Sequence, residues 1–246
     1  MFTQKSEIRP LLAGLLLLIL SSAGAASDPA APAPSLVPDL SDHGVFMLYV
    51  GGRNVGIEKF DIRHSSGRVE TRAEISLRAE QEGKTIDMQI NADLVLNSHL
   101  EPLTYRWSQK GPQSSRLSID FHSDPAQARY ITVSGDEEKR EFDLPKSVVV
   151  LDDNVLHHYQ LVVDRYRMTS GGKQIFHAFI PQEALPGTLT VEDLGTEKVN
   201  VDGLPVALDH LLVTTEMAKI NLWVDGQQHL QRISVPEAHL EAYRKK

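Results

Sequence analysis

With 246 residues and hydrophobic side chains making up 41% of them, the sequence holds enough apolar material for a sizeable core, which excludes a globally disordered chain. The formal net charge is −8 with no long run of like charge, so nucleic acid and broad anionic membrane surfaces are poor partners by bulk electrostatics. Cysteine is absent, which removes disulfides, thiol catalysis, thiolate metal sites and acylation of an N-terminal cysteine in one step.

Lys5 and Arg9 precede an apolar run from Leu11 to Leu20, followed by Ser21-Ser22-Ala23-Gly24-Ala25. The run is about half the roughly 20 residues that span a bilayer, so it reads as a secretory signal peptide rather than a membrane anchor. Ala23 and Ala25 supply the small side chains of a cleavage site, which places the cut after Ala25 and the mature protein in the periplasm or outside the cell, with no stable membrane span left. Residues 26–42 are rich in Pro and Ala and read as a flexible leader. Residues 43–246 are expected to form one domain.

Val45–Val50, Gly51-Gly52-Arg53-Asn54 and Val55–Ile62 read as a strand, a glycine turn and a second strand. After Ser65-Ser66-Gly67, the residues Val69, Thr71, Ala73, Ile75 and Leu77 alternate with charged and polar neighbours, the pattern of a strand with one dry face. Glu82-Gly83 turns the chain into Thr85–Leu96, where Ile86, Met88, Ile90, Ala92, Leu94 and Leu96 repeat it. Leu103–Trp107 keeps the period and sets Tyr105 and Trp107 on the face opposite Arg106. Shorter strands are predicted at Arg116–Phe121, Tyr130–Ser134 and Lys139–Leu144.

The run 151–166 breaks the pattern. Val155, Leu156, Tyr159, Val162, Val163 and Tyr166 fall on one side of a 3.6-residue spiral, which predicts an amphipathic helix over about 153–167. Asp152 or Asp153 is placed to cap its first turn, and Thr169-Ser170-Gly171-Gly172 to stop it. Beyond it, strands are predicted at Gln174–Ile180, Thr188–Leu194, Glu197–Val201, Ala207–Thr215, Ala218–Val224 and Leu230–Val235, with Asp202-Gly203 and Asp225-Gly226 at hairpin positions. Pro236–Lys246 reads as a last helical turn or two, with Leu240 and Tyr243 on a common surface. These elements predict a mainly β fold, a single antiparallel β-roll or open barrel of about fourteen strands, wrapped around one central helix.

The hairpin ending Gly52-x-x-Val55-Gly56, the Asp153…Tyr159 helix, and Leu222-Trp223-Val224-Asp225 followed by Leu230-Gln231-Arg232-Ile233 resemble a group of exported bacterial domains of unknown function. These share a spiral β-roll reminiscent of the lipoprotein-carrier (LolA/LolB-like) and glycolipid-binding folds. The resemblance spans roughly 43–243. It implies a periplasmic roll with an amphiphile lodged inside, and it supplies no catalytic residues.

The residues that suggest chemistry have plainer readings. Adjacent helical residues point about 100° apart, so His157 and His158 cannot chelate one ion; one is expected at the edge of the apolar stripe and the other in solvent. Asp209 and His210 are strand neighbours and face opposite ways. Ser170-Gly171-Gly172-Lys173 lacks the upstream glycine and following Ser/Thr of a phosphate loop, and Asp152-Asp153 and Glu192-Asp193 offer too few oxygens for calcium. No metal or cofactor is expected. The sequence reading is therefore a non-enzymatic binding or carrier module for an amphiphilic, lipid-like molecule, contacted by Tyr105, Trp107, Tyr159 and Trp223. The rivals are an interaction or scaffold module with a filled core, engaging an envelope protein, and a hydrolase working through Asp209, His210 or the histidines near 157.

Overall fold

The computed structural model describes residues 41–245 apart from 82–83, 113, 168–170, 202–203 and 217. The signal peptide, nearly all of the leader and the Glu82-Gly83 and Asp202-Gly203 turns lie outside the described residues.

The strands are β1 (Asp42–Val50), β2 (Arg53–Ser65), β3 (Arg68–Gln81), β4 (Lys84–Asn97), β5 (Pro102–Lys110), β6 (Ser115–Asp120), β7 (Ala126–Ile131), β8 (Glu137–Phe142) and β9 (Val149–Val150). The helix α1 (His158–Arg167) follows, then β10 (Gln174–Ile180), β11 (Leu185–Val201), β12 (Leu204–Thr214), β13 (Lys219–Val224), β14 (Leu230–Val235) and β15 (Leu240–Arg244). They form one 15-stranded sheet in the order β8-β7-β6-β5-β4-β3-β2-β1-β15-β14-β13-β12-β11-β10-β9. Every pairing is antiparallel except the short β9–β10 contact. The order is a meander closed on itself through β1 and β15, with its break between β8 and β9 rather than at the chain ends.

Alternation builds the long strands as expected. Val69, Ala73, Ile75 and Leu77 of β3 and Met88, Ile90, Ala92, Leu94 and Leu96 of β4 are buried in one core that also takes in α1. Gly51 and Gly52 both have positive φ in the two-residue turn between Val50 and Arg53, a backbone that glycine adopts without a steric penalty. Gly56 is needed for a different reason: a Cβ there would stand 2.1 Å from the Ser76 carbonyl oxygen on β3. The sheet curls until its ends meet through side chains. The Phe142 ring of β8 lies 4.8 Å from Phe179 of β10, and the Tyr130 hydroxyl of β7 donates to the Pro181 carbonyl at 3.0 Å.

The roll of about fourteen strands is borne out, with fifteen among the described residues. Several details are corrected. Thr188–Leu194 and Glu197–Val201 are one strand, β11, bent by a bulge at Asp193/Gly195, while Val149–Val150 and Leu240–Arg244 are strands of their own. The C-terminal tail makes only a 3-10 turn at Pro236–Ala238 before β15, whose alternation buries Leu240 and leaves Tyr243 on the other face. The strands expected at Tyr130–Ser134 and Lys139–Leu144 start earlier, at Ala126 and Glu137, since Ala126 and Ala128 already fill the dry face. The helix begins at His158 rather than 153, because Asn154 takes φ +62°, which no right-handed helix accommodates. Nor is it a one-sided stripe: His158, Gln160, Leu161 and Asp164 are buried along with Tyr159, Val162, Val163 and Tyr166. A rod inside a closed roll meets protein on all sides, so its polar residues also face the interior.

Candidate functional site

The polar groups of the interior gather at the head of α1. Free N–H groups at a helix start need acceptors, and here a carboxylate from β2 provides them. Glu58 shares the dry face of β2 with Phe60 and Ile62, opposite Ile75. Its Oε2 accepts from the Leu156 N–H at 2.7 Å, and Oε1 from the His157 N–H at 2.9 Å and from His157 Nδ1 at 2.6 Å. The other ring nitrogen of His157, Nε2, lies 2.9 Å from the Thr71 hydroxyl. Glu58–His157–Thr71 thus has the connectivity of an acid–imidazole–hydroxyl relay. It is sealed, however: Glu58 and His157 have no exposed surface and Thr71 retains 3%. A reacting atom must come within about 3 Å of such a hydroxyl, and there is no room for one.

A second cluster lies beside it. Asp152 Oδ2 accepts from the Tyr105 hydroxyl of β5 at 2.6 Å, and its Oδ1 from the Gln182 N–H at 3.0 Å and the Asp153 N–H at 3.1 Å. One carboxyl therefore ties β5 and the turn after β10 to the segment between β9 and α1. Burial raises it to about 7, against the opposing pull of those hydrogen bonds. Burial, with the charges of Asp152 and Glu183 next, also raises Asp153. The Asp152/Asp153 pair caps no helix; Asp152 bridges the break instead. His158 lies edge-on to Tyr105 and to His157, and neither of its ring nitrogens has a hydrogen-bond partner among the described residues. Burial, followed by the neighbouring His157, holds it neutral, well below the usual histidine range. The expectation of one histidine in solvent is therefore wrong: both are fully buried.

Further along the helix, Gln160 accepts from the Leu230 N–H at 2.7 Å and donates to the Gln228 carbonyl at 2.9 Å and to Asp164 at 2.7 Å, fixing α1 to the β13–β14 turn. Burial, together with nearby Asp42, raises the Asp164 carboxyl to about 7 against the Gln160 hydrogen bond. No groups of three or more His, Asp or Glu side chains placed to hold a metal ion occur among the described residues.

The four residues singled out in the sequence do not share one wall. Tyr105 and Trp107 line the inner face of β5, and Tyr159 lies in α1 within the same core. Trp223 is on the opposite face of the sheet, stacked on His210 at 4.8 Å under the Arg232 guanidinium, with its indole N–H donated to Glu197. The hydrolase candidates stay apart as well: Asp209 holds Arg167 and Thr196, whereas His210 faces Asn221 on the outer side.

Two open clefts lie over β4 to β8. One of about 310 Å³ is lined by Asn91, Asp93, Arg106, Ser108, Arg116 and Ser118 among others, and one of about 480 Å³ extends it past Asp120, Arg129 and Lys139. Alternation sets Arg106, Ser108, Arg116 and Ser118 on the outer face, away from Tyr105 and Trp107.

A similar fold occurs in a β-barrel-like protein of a domain of unknown function, DUF1849, from Brucella abortus. It is 9% identical in sequence, with a TM-score of 0.57 over 85% of this chain and 96% of that one. The fold is β-barrel-like. A DUF1089 family protein from Pseudomonas aeruginosa is 11% identical over 86% of this chain and 94% of that one, with a TM-score of 0.43. No protein-family model and no curated protein matches the sequence. At 9% identity the likeness to the Brucella abortus protein concerns the fold alone.

Sequence reasoning missed Glu58 and Thr71. The signal for Glu58 was present: a carboxylate in phase with Phe60 and Ile62 on a dry face must have a buried partner.

Proposed function

We propose that the protein is an exported, non-enzymatic module of the cell envelope that engages its partner with the outer face of its sheet. Export is supported by the basic start, the short apolar run and the Ala23-Gly24-Ala25 site. One observation carries the rest: the interior is occupied by the chain's own helix. A void wide enough for water would leave accessible area on its walls, yet His157, His158, Val162 and Val163 have none. The open clefts face outward. The sealed Glu58–His157–Thr71 relay supports a structural rather than catalytic role for these groups.

The test is purification from the native envelope with a photo-cross-linker in place of Gln127, on the outer face of β7, and a matched probe at Tyr105. Capture of one stoichiometric envelope protein through the outer probe alone, without co-extracted lipid, is the expected result. Stoichiometric lipid reached from position 105 would overturn it.

That last outcome corresponds to a second reading, an amphiphile lodged against Tyr105, Trp107 and Tyr159. It has support in the number of buried, uncomfortably placed polar groups on or beside α1, which make this plug costly to keep in place. Withdrawal of the helix would leave an apolar hollow.

A further inference from the structure

We propose that the outer cleft over β5 and β6 is a binding site for a single phosphate-type oxyanion, held between Arg106 and Arg116. The inference rests on the reading of the outer face as the binding surface and names the ligand class for it.

Register creates the site. Arg106 of β5 stands opposite Ser118 of β6, and Ser108 opposite Arg116, so two guanidiniums occupy one diagonal of a four-residue patch and two hydroxyls the other. Directly opposed strand residues are about 5 Å apart and diagonal ones roughly 7–8 Å. Long arginine side chains close that gap over an anion a few ångströms wide, and their planar forks donate in pairs to its oxygens. Asn91 stands opposite Ser108 on β4 and adds an amide at the rim, and Arg129 stands opposite Ser118 on β7.

What makes the pair stand out is that most other arginines are engaged with carboxylates; Arg53, at the start of β2, and Arg165, which donates to the Leu100 carbonyl, hold none among the described residues but lie away from the cleft. Arg63, Arg72, Arg78, Arg129, Arg140 and Arg232 each hold a carboxylate. The acids that could neutralise the cleft are engaged: Asp93, opposite Arg106, takes Arg72 at 2.8 Å, Glu137 takes Arg129 at 2.5 Å, and Asp120 holds His122 at 2.9 Å. No carboxylate pairs with Arg106 or Arg116 among the described residues. Two uncompensated guanidiniums side by side repel each other, and in a chain of net charge −8 they are the local exception. An anion relieves that repulsion. The overall negative charge repels an extended polyanion, which narrows the ligand to one small group, either free phosphate or a phosphate borne on a larger molecule.

The experiment is a titration of the mature protein with inorganic phosphate at constant ionic strength, followed by amide NMR shifts and calorimetry, in the parent and in an Arg106→Gln/Arg116→Gln variant. Arg63→Gln serves as a control for general charge. Saturable shifts centred on 106–108 and 116–118, weakened at least tenfold in the double variant but not in the control, with melting temperatures alike, are expected. Vesicles of phosphatidylglycerol against phosphatidylcholine form a second arm. Recruitment to the first through the same two arginines supports the site and identifies a lipid phosphate as the source, and phosphate binding without recruitment supports a soluble source. Shifts reproduced by chloride, shifts unchanged in the double variant, or no saturable response in either arm would overturn the proposal. Partner capture at position 127 is read independently, so either reading can fail without the other.

Discussion

Replacing Glu58 by Gln isolates the carboxylate that starts the helix. In the parent its two oxygens take three donors, the N–H groups of Leu156 and His157 and the ring Nδ1 of His157. A glutamine has one oxygen, and its amide must turn N–H groups toward whichever donor the oxygen leaves. If the oxygen stays with His157, the Leu156 N–H is unpaired and faces another donor in a site without water, a loss of about 1–3 kcal/mol. If it turns to Leu156, the amide N–H groups face the His157 side of the site and the His157 backbone N–H is orphaned. Either way the negative charge at the helix start goes too, about 1 kcal/mol more. The expected cost is about 2–4 kcal/mol, read from urea unfolding followed by far-UV and tyrosine signals, with an unchanged denaturant slope. A loss below about 0.5 kcal/mol would refute the view that this buried carboxylate anchors the helix.

Other outcomes follow from the same interior. Asp152, at 3.8 in a model compound and about 7 here, holds a proton in the folded state that the unfolded chain has already released between those values. Its contribution is therefore full below about pH 4 and is lost as the pH rises through about 7, so Asp152→Asn should gain on the parent by up to about 4 kcal/mol between pH 4 and pH 9; a difference independent of pH would contradict this. His158, held neutral, contributes fully above its unfolded value of 6.5 and loses that contribution as the pH falls, because the unfolded chain then binds the proton. His158→Phe should raise the melting temperature at pH 7 and raise it further at pH 5, and a destabilised variant would argue for a partner at the ring nitrogens. Gly56→Ala pushes a methyl against the Ser76 carbonyl and should cost about 3 kcal/mol in urea unfolding, and a neutral result would mean that β2 and β3 can separate locally.

The roll was legible because strands declare themselves by a period of two. Val69 to Leu77 and Met88 to Leu96 alternate without a fault, and the Gly51-Gly52 and Gly67 turns set their pairing. The helix stripe was legible too, but a stripe reports the most apolar side of a rod, not how many sides are covered. His158, Leu161 and Asp164 fell outside it and are buried because the sheet returns around them, a long-range fact no local window contains. The same holds for the Glu58 contact, which joins residues 98 apart in the chain. The Arg106/Arg116 patch was half visible: alternation put Arg106 on the outer face, but only pairing with β6 sets the second arginine and the two serines beside it.

The β1–β15 ladder, which pairs Phe46 with Arg244 and Val50 with Leu240, is reinforced by Arg244 on Asp42. The other ladders link strands consecutive in sequence and most can zip as local hairpins, whereas this one must wait for β15. Until then Phe46 and Leu48 sit beside an unpaired backbone row, sticky toward other strands and with nothing of their own to bind. A chain that has not yet placed β15 is thus held short of its finished shape, with β1 and β14 still apart. Deleting Leu240–Arg244 would remove little mass and yet leave the ring ajar.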